Sequence, residues 1–69
     1  MKYTYFDYDK KGNKKLHHTR GEFAGWNGTS VLGAPMAQFR NRCGSIYVPV
    51  YLLPAETLDL IGRPPKVNQ

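Results

Sequence analysis

Disulfides, long apolar runs and acidic residues are all scarce in this sequence, and each scarcity removes a class of protein. Cys43 is the single cysteine, so no intrachain disulfide can staple the fold, and the disulfide-dense frameworks of small secreted domains are excluded. No stretch approaches the roughly 18 apolar residues of a membrane-spanning helix, and Lys2 and Asp7 interrupt the first residues before a signal-peptide core can form. These features predict a reducing, cytoplasmic setting with no membrane partner. Leu, Ile, Val and Phe supply only 15 of 69 residues, just above the roughly 20% at which charged chains stop folding. Five Tyr and one Trp add packing material. A chain this short buries only about 60% of its unfolded surface, which leaves a thin core and little room for an enclosed active site. The length admits one domain, expected over residues 1–62, with residues 63–69 as an extended tail after Gly62.

The five acids are Asp7, Asp9, Glu22, Glu56 and Asp59. Asp9 and Glu56 are already explained by a turn and a helix start, and nothing singles out a carboxylate pair for acid–base chemistry. His17 and His18 are adjacent, so on a strand they point to opposite faces and cannot chelate one ion together. The glycines of residues 21–33 have neither the lysine of a phosphate-binding P-loop nor the spacing of a dinucleotide fingerprint. The sequence therefore predicts no catalytic residue, metal or cofactor, and no enzyme; no motif assigns it to a family.

Ten Lys and Arg outnumber the acids and give a net charge of +5, which favours anionic partners. Four of the ten, Lys10, Lys11, Lys14 and Lys15, fall within six positions. They surround an Asp-Lys-Lys-Gly-Asn order that reads as a type I turn closed by a left-handed Gly12. The register follows: residues whose numbers sum to 22 lie opposite one another, pairing Phe6 with Leu16 and Asp7 with Lys15. Alternation puts Phe6 and Leu16 on the expected core face and Tyr3, Tyr5, His17 and Lys15 on the opposite, outer face.

Residues 21–33, with four glycines and no lasting period, read as a long loop anchored by Phe23 and Trp26. Pro35, Met36, Phe39 and Cys43 at spacings of three and four, followed by Gly44, predict a helix over residues 34–43 with Cys43 buried on its stripe. Residues 45–53 read as a strand, at an edge because of Pro49. Pro54, Leu58, Ile61 and Gly62 predict a second short helix. The expected fold is α+β, with a small antiparallel sheet made of an N-terminal β-hairpin and a C-terminal strand, two short helices, and the order β-β-loop-α-β-α.

Two functions fit this reading. The leading one is a small basic nucleic-acid-binding or regulatory module, in which Lys14, Lys15, Arg20, Arg40 and Arg42 neutralise phosphates while Tyr3, Tyr5 and His17 supply stacking surface. The alternative is a protein-docking inhibitor or adaptor that uses Phe23 and Trp26 in the loop and Tyr47 and Tyr51 on the edge strand. A homodimer through that same edge is a further expected partner.

Overall fold

A computed structural model describes residues 2–64, apart from the Arg20 side chain. Its elements run β1 (Lys2–Tyr8), β2 (Lys14–Arg20), β3 (Glu22–Thr29), β4 (Pro35–Asn41), β5 (Gly44–Pro49), a 3-10 turn (Val50–Leu52) and α1 (Ala55–Ile61). The strands form two antiparallel sheets, β1-β2 and β3-β4-β5. The expected α+β order is thus corrected to a mostly sheet architecture with one short helix.

The hairpin has the register read from the sequence, from Tyr8 opposite Lys14 to Lys2 opposite Arg20, and Gly12 closes its turn at a φ of +84°. Its faces are reversed, however. Tyr3 and Thr19 are buried and Leu16 is 51% exposed, because the bulk of the core lies under the base of the hairpin. There the Tyr3 ring sits 5.0 Å from the ring of Phe39.

Between β2 and β3 stands the single residue Gly21, where the chain leaves one sheet and enters the other. Its backbone lies hard against β4: a Cβ built there would fall 2.4 Å from the Arg40 carbonyl oxygen. Only glycine permits so close an approach at a φ of +133°.

The expected loop over residues 21–33 is largely β3, and the expected helix over residues 34–43 is β4. Register shifts between Phe23 and Gly25 and between Trp26 and Thr29 break the two-residue period of β3, which is why no strand pattern is legible there. The first shift brings Phe23 opposite Phe39 and Trp26 opposite Ala37, so both aromatic rings join one inner face, 5.8 Å apart and edge-on. In β4 the buried residues are Ala37 and Phe39, two apart, alternating with the less buried Gln38 and the exposed Arg40. Helical spacing from Met36 to Phe39 to Cys43 is therefore coincidental. A two-residue turn at Arg42 and Cys43 returns the chain into β5, with Ala37 opposite Val48 and Phe39 opposite Ile46.

Strand β5 ends at Pro49, shorter than the expected residues 45–53, and the 3-10 turn carries the chain over the core. The helix that follows Pro54 is the one the sequence predicts: Leu58 is buried, Ile61 packs on the core, and Gly62 donates its N–H to the Leu58 carbonyl at 2.8 Å. Thr57, 1% exposed, fixes α1 to β1 by donating its hydroxyl to the Thr4 carbonyl at 2.7 Å. The buried cluster comprises Tyr3, Ala37, Phe39, Val48, Leu53 and Leu58. Beyond Pro64 the expected tail lies outside the described residues. Among the described residues no helix is long and apolar enough to cross a membrane.

Candidate functional site

Asp9 organises the turn of the β1-β2 hairpin. The carboxylate Oδ1 of Asp9 accepts the N–H groups of Lys11 and Asn13, each at 2.9 Å, and the Asp9 carbonyl accepts the Gly12 N–H at 3.0 Å. Three turn N–H groups are thereby satisfied within the turn itself. Lys10 and Lys11 are held at an exposed tip, and Lys15 Nζ lies 4.0 Å from Asp9 Oδ2, a contact that is weak in solvent.

Every residue from Lys10 to His18 is exposed. The hairpin is consequently a ribbon, about 20 Å long at the usual strand rise, whose β2 strand is solvated on both faces from Lys14 to His18. One face carries Phe6, Tyr8, Lys14, Leu16 and His18. The Lys14 ammonium sits 4.3 Å from the centre of the Phe6 ring, a cation–π contact, and Tyr8 is 54% exposed beside it. On the other face His17 stacks on Tyr5 with ring centres 5.5 Å apart, above the Lys15 side.

The residues expected to bind nucleic acid do not all meet. Lys14, Lys15 and His17 share the ribbon, and half-buried Tyr5 lies under His17. Tyr3, by contrast, is core, 6% exposed, so its ring has no free face for stacking. Arg40 stands opposite Glu22 and Ser45 at the end of β4, and Arg42 occupies the β4-β5 turn; both are at the base of the ribbon, a strand's length from Lys14. The backbone of Arg20 ends β2 at that base, while its side chain lies outside the described residues. Half-buried Phe6 and exposed Tyr8, Leu16 and His18 form the solvent-facing side that sequence reasoning missed. Phe6 opposite Leu16 resembles a core pair equally well, and nothing local distinguishes the two.

Of the expected docking residues, Phe23 and Trp26 are half-buried against the core instead of projecting from a loop. Tyr47 and Tyr51 are both about half exposed, Tyr47 on β5, which is an edge strand of its sheet. The outer face of that sheet is tied by an amide ladder across three strands. Asn27 Nδ2 donates to Gln38 Oε1 at 2.8 Å, and Gln38 Nε2 donates to Ser45 Oγ at 3.1 Å.

Cys43 is exposed in the β4-β5 turn, its N–H donated to Asn41 Oδ1 at 2.8 Å, which corrects the expectation of a buried thiol. Native protein should therefore react with a thiol reagent such as Ellman's at the rate of the unfolded chain to within a few fold. Cys43→Ser should shift stability by less than about 0.5 kcal/mol; strong protection or a large loss in urea unfolding would contradict this placement.

Among the described residues no group of three or more His, Cys, Asp and Glu side chains gathers where it could hold a metal ion. Comparison with known proteins finds no matching family model, no matching curated protein and no matching solved structure.

Proposed function

We propose that this chain is a small nucleic-acid-binding module, acting by binding and not by catalysis, whose contact element is the β1-β2 ribbon. The observation that carries the reading is the ribbon face on which the exposed Lys14 ammonium lies 4.3 Å from the half-buried Phe6 ring, flanked by exposed Tyr8 and Leu16. Lys10, Lys11, Lys14 and Lys15 neutralise successive phosphates. Tyr8, 54% exposed, offers a π-face to bases, which suits single strands; a two-stranded ribbon also has the width that a duplex major groove admits. The lone, exposed thiol of Cys43 supports a reducing compartment, and we place the module in the cytoplasm.

The test is fluorescence anisotropy of labelled 20-nucleotide single-stranded and duplex probes across a salt series. With four phosphates neutralised, affinity should fall about 50-fold on single strands and about 150-fold on duplex between 50 and 200 mM salt. The double variant Lys14→Gln, Lys15→Gln should flatten the single-strand slope by about 1.4. Absence of binding at 50 mM salt, or binding indifferent to salt, would refute the proposal.

A further inference from the structure

The two sheets leave a seam. β1 pairs only with β2, β5 pairs only with β4, and among the described residues no ladder joins β1 to β5. Between them runs a groove of about 270 Å³, bounded by residues 5–7 of β1 and residues 46–49 of β5 and completed by Leu52. Its walls are aliphatic and aromatic, and Asp7 is the one charged residue among those that line it. The volume falls below the roughly 300 Å³ at which sites for larger ligands begin, so the groove suits a single planar ring system.

The position of the Asp7 carboxylate follows from the pairing. In an antiparallel ladder, residues alternate between bonding their partner and turning N–H and C=O outward. The Asp9 N–H bonds the Asn13 carbonyl, so counting by twos Asp7 and Tyr5 bond across to β2, and Thr4, Phe6 and Tyr8 turn their backbone groups toward the seam. The Thr57 hydroxyl reaches the Thr4 carbonyl from that side. Asp7 Oδ1 accepts the outward N–H of Tyr8 at 2.8 Å, which draws the carboxylate to the seam edge of β1. Lys15 stands across from Asp7, but its ammonium goes to Asp9, and among the described residues no cation lies within ion-pair distance of Asp7. A carboxylate has about four lone-pair sites, and the Tyr8 N–H takes one of them. The groove therefore holds an unpaired group that can only accept hydrogen bonds.

We infer that this groove is a base-reading slot beside the ribbon, which takes a guanine of a bound single strand; the inference rests on the reading of the ribbon as a nucleic-acid-binding element. The guanine gives its N1–H and N2–H donors to the Asp7 carboxylate, and its ring packs against Tyr47, 50% exposed, and against Ile46 and Leu52. The lone acceptor selects the base. Guanine has two neighbouring donors on its Watson–Crick edge, the edge that an unstacked base exposes to a protein, and they match a carboxylate as two parallel hydrogen bonds. Adenine, cytosine and thymine each offer one donor group there, beside an acceptor that the carboxylate repels. The same negative charge keeps phosphates out of the groove. The strand's backbone stays on the lysines of β2, one strand spacing of about 5 Å from β1, and the base reaches across.

The probes are labelled dodecamers of thymidine that carry one central guanine, adenine or cytosine, read by fluorescence anisotropy on the full-length chain at 50 mM salt. The guanine strand should bind about tenfold tighter than the other two, the discrimination of one bidentate base contact. Its salt slope should equal theirs, because the contact neutralises no phosphate. Asp7→Asn exchanges an acceptor oxygen for a donor amide and should bring the three strands within about twofold of one another. Hypoxanthine in place of guanine removes the N2 donor and should lose most of the preference on the parent protein, which keeps the test decisive if the variant does not fold. Strands that bind without preference, preference for another base, equal binding of hypoxanthine, or a guanine preference that survives Asp7→Asn would each overturn the slot and leave the ribbon standing. Displacement of the strand by micromolar guanosine monophosphate would overturn it as a strand-reading site. Absence of binding by every strand would overturn the slot together with the ribbon.

Discussion

Phe39→Ala should leave the chain largely unfolded at 25 °C. Phe39 is 2% exposed and is the hub of an aromatic cluster, 5.0 Å from the Tyr3 ring and 5.8 Å from the Phe23 ring. Through these contacts it is the side chain that ties the β1-β2 sheet to the β3-β4-β5 sheet. Truncating a buried Phe costs about 3–5 kcal/mol, while the single core of a domain this short supplies no more than about 3–5 kcal/mol in total, with no disulfide to limit the unfolded state. Far-UV circular dichroism with urea titration reads the outcome: the parent should give a cooperative transition and the variant little or no folded baseline. A variant whose midpoint stays close to the parent's would mean that the two sheets are joined by something other than this cluster.

Gly21→Ala should be nearly as damaging, for a reason of backbone and not of packing volume. The new methyl would meet the Arg40 carbonyl oxygen at 2.4 Å, its carbon at 2.9 Å and the Asn41 Cβ at 3.2 Å. The two nearest of these are main-chain atoms of a paired strand, which cannot rotate aside. The φ of +133° adds a strain of about 1–3 kcal/mol for any residue with a Cβ, so a total of about 3 kcal/mol or more is expected once the clash is included. Gly12→Ala is the matched control. It too has a positive φ, but nothing lies within 4 Å of the added carbon, so it should cost only about 1 kcal/mol. Equal effects of the two substitutions on the urea midpoint would contradict the close approach at the sheet corner.

The contrast between these glycines explains what the sequence could and could not convey. The hairpin was legible because its turn chemistry is local: Asp9, Gly12 and Asn13 specify the connection, and counting outward fixes every cross-strand pair. Helix α1 was legible for the same reason, from Pro54 to Gly62. Strands β3 and β4 were not, because their identity is set by partners. The shift after Phe23 breaks the alternation in β3 and makes sense only with Phe39 and Ala37 opposite, and the helix-like spacing of Met36, Phe39 and Cys43 is overruled by pairing with β5. The orientation of the hairpin was also out of reach. Its two faces carry rings in similar number, and the choice of Tyr3 over Leu16 for burial depends on where β4 and α1 lie.

That reversal moved the candidate surface from Tyr3, Tyr5 and His17 to Phe6, Tyr8, Lys14, Leu16 and His18, and it yields a footprint that one experiment can see. Titrating a 12-nucleotide single strand into isotope-labelled protein at 50 mM salt, followed by amide chemical shifts, should perturb Phe6, Tyr8 and residues 10–18 first and most strongly. The Asn27, Gln38 and Ser45 ladder on the far sheet should stay at its free positions. Shifts centred on that ladder or on Arg40 and Arg42, with the ribbon silent, would contradict the assignment of the β1-β2 ribbon as the nucleic-acid-binding element.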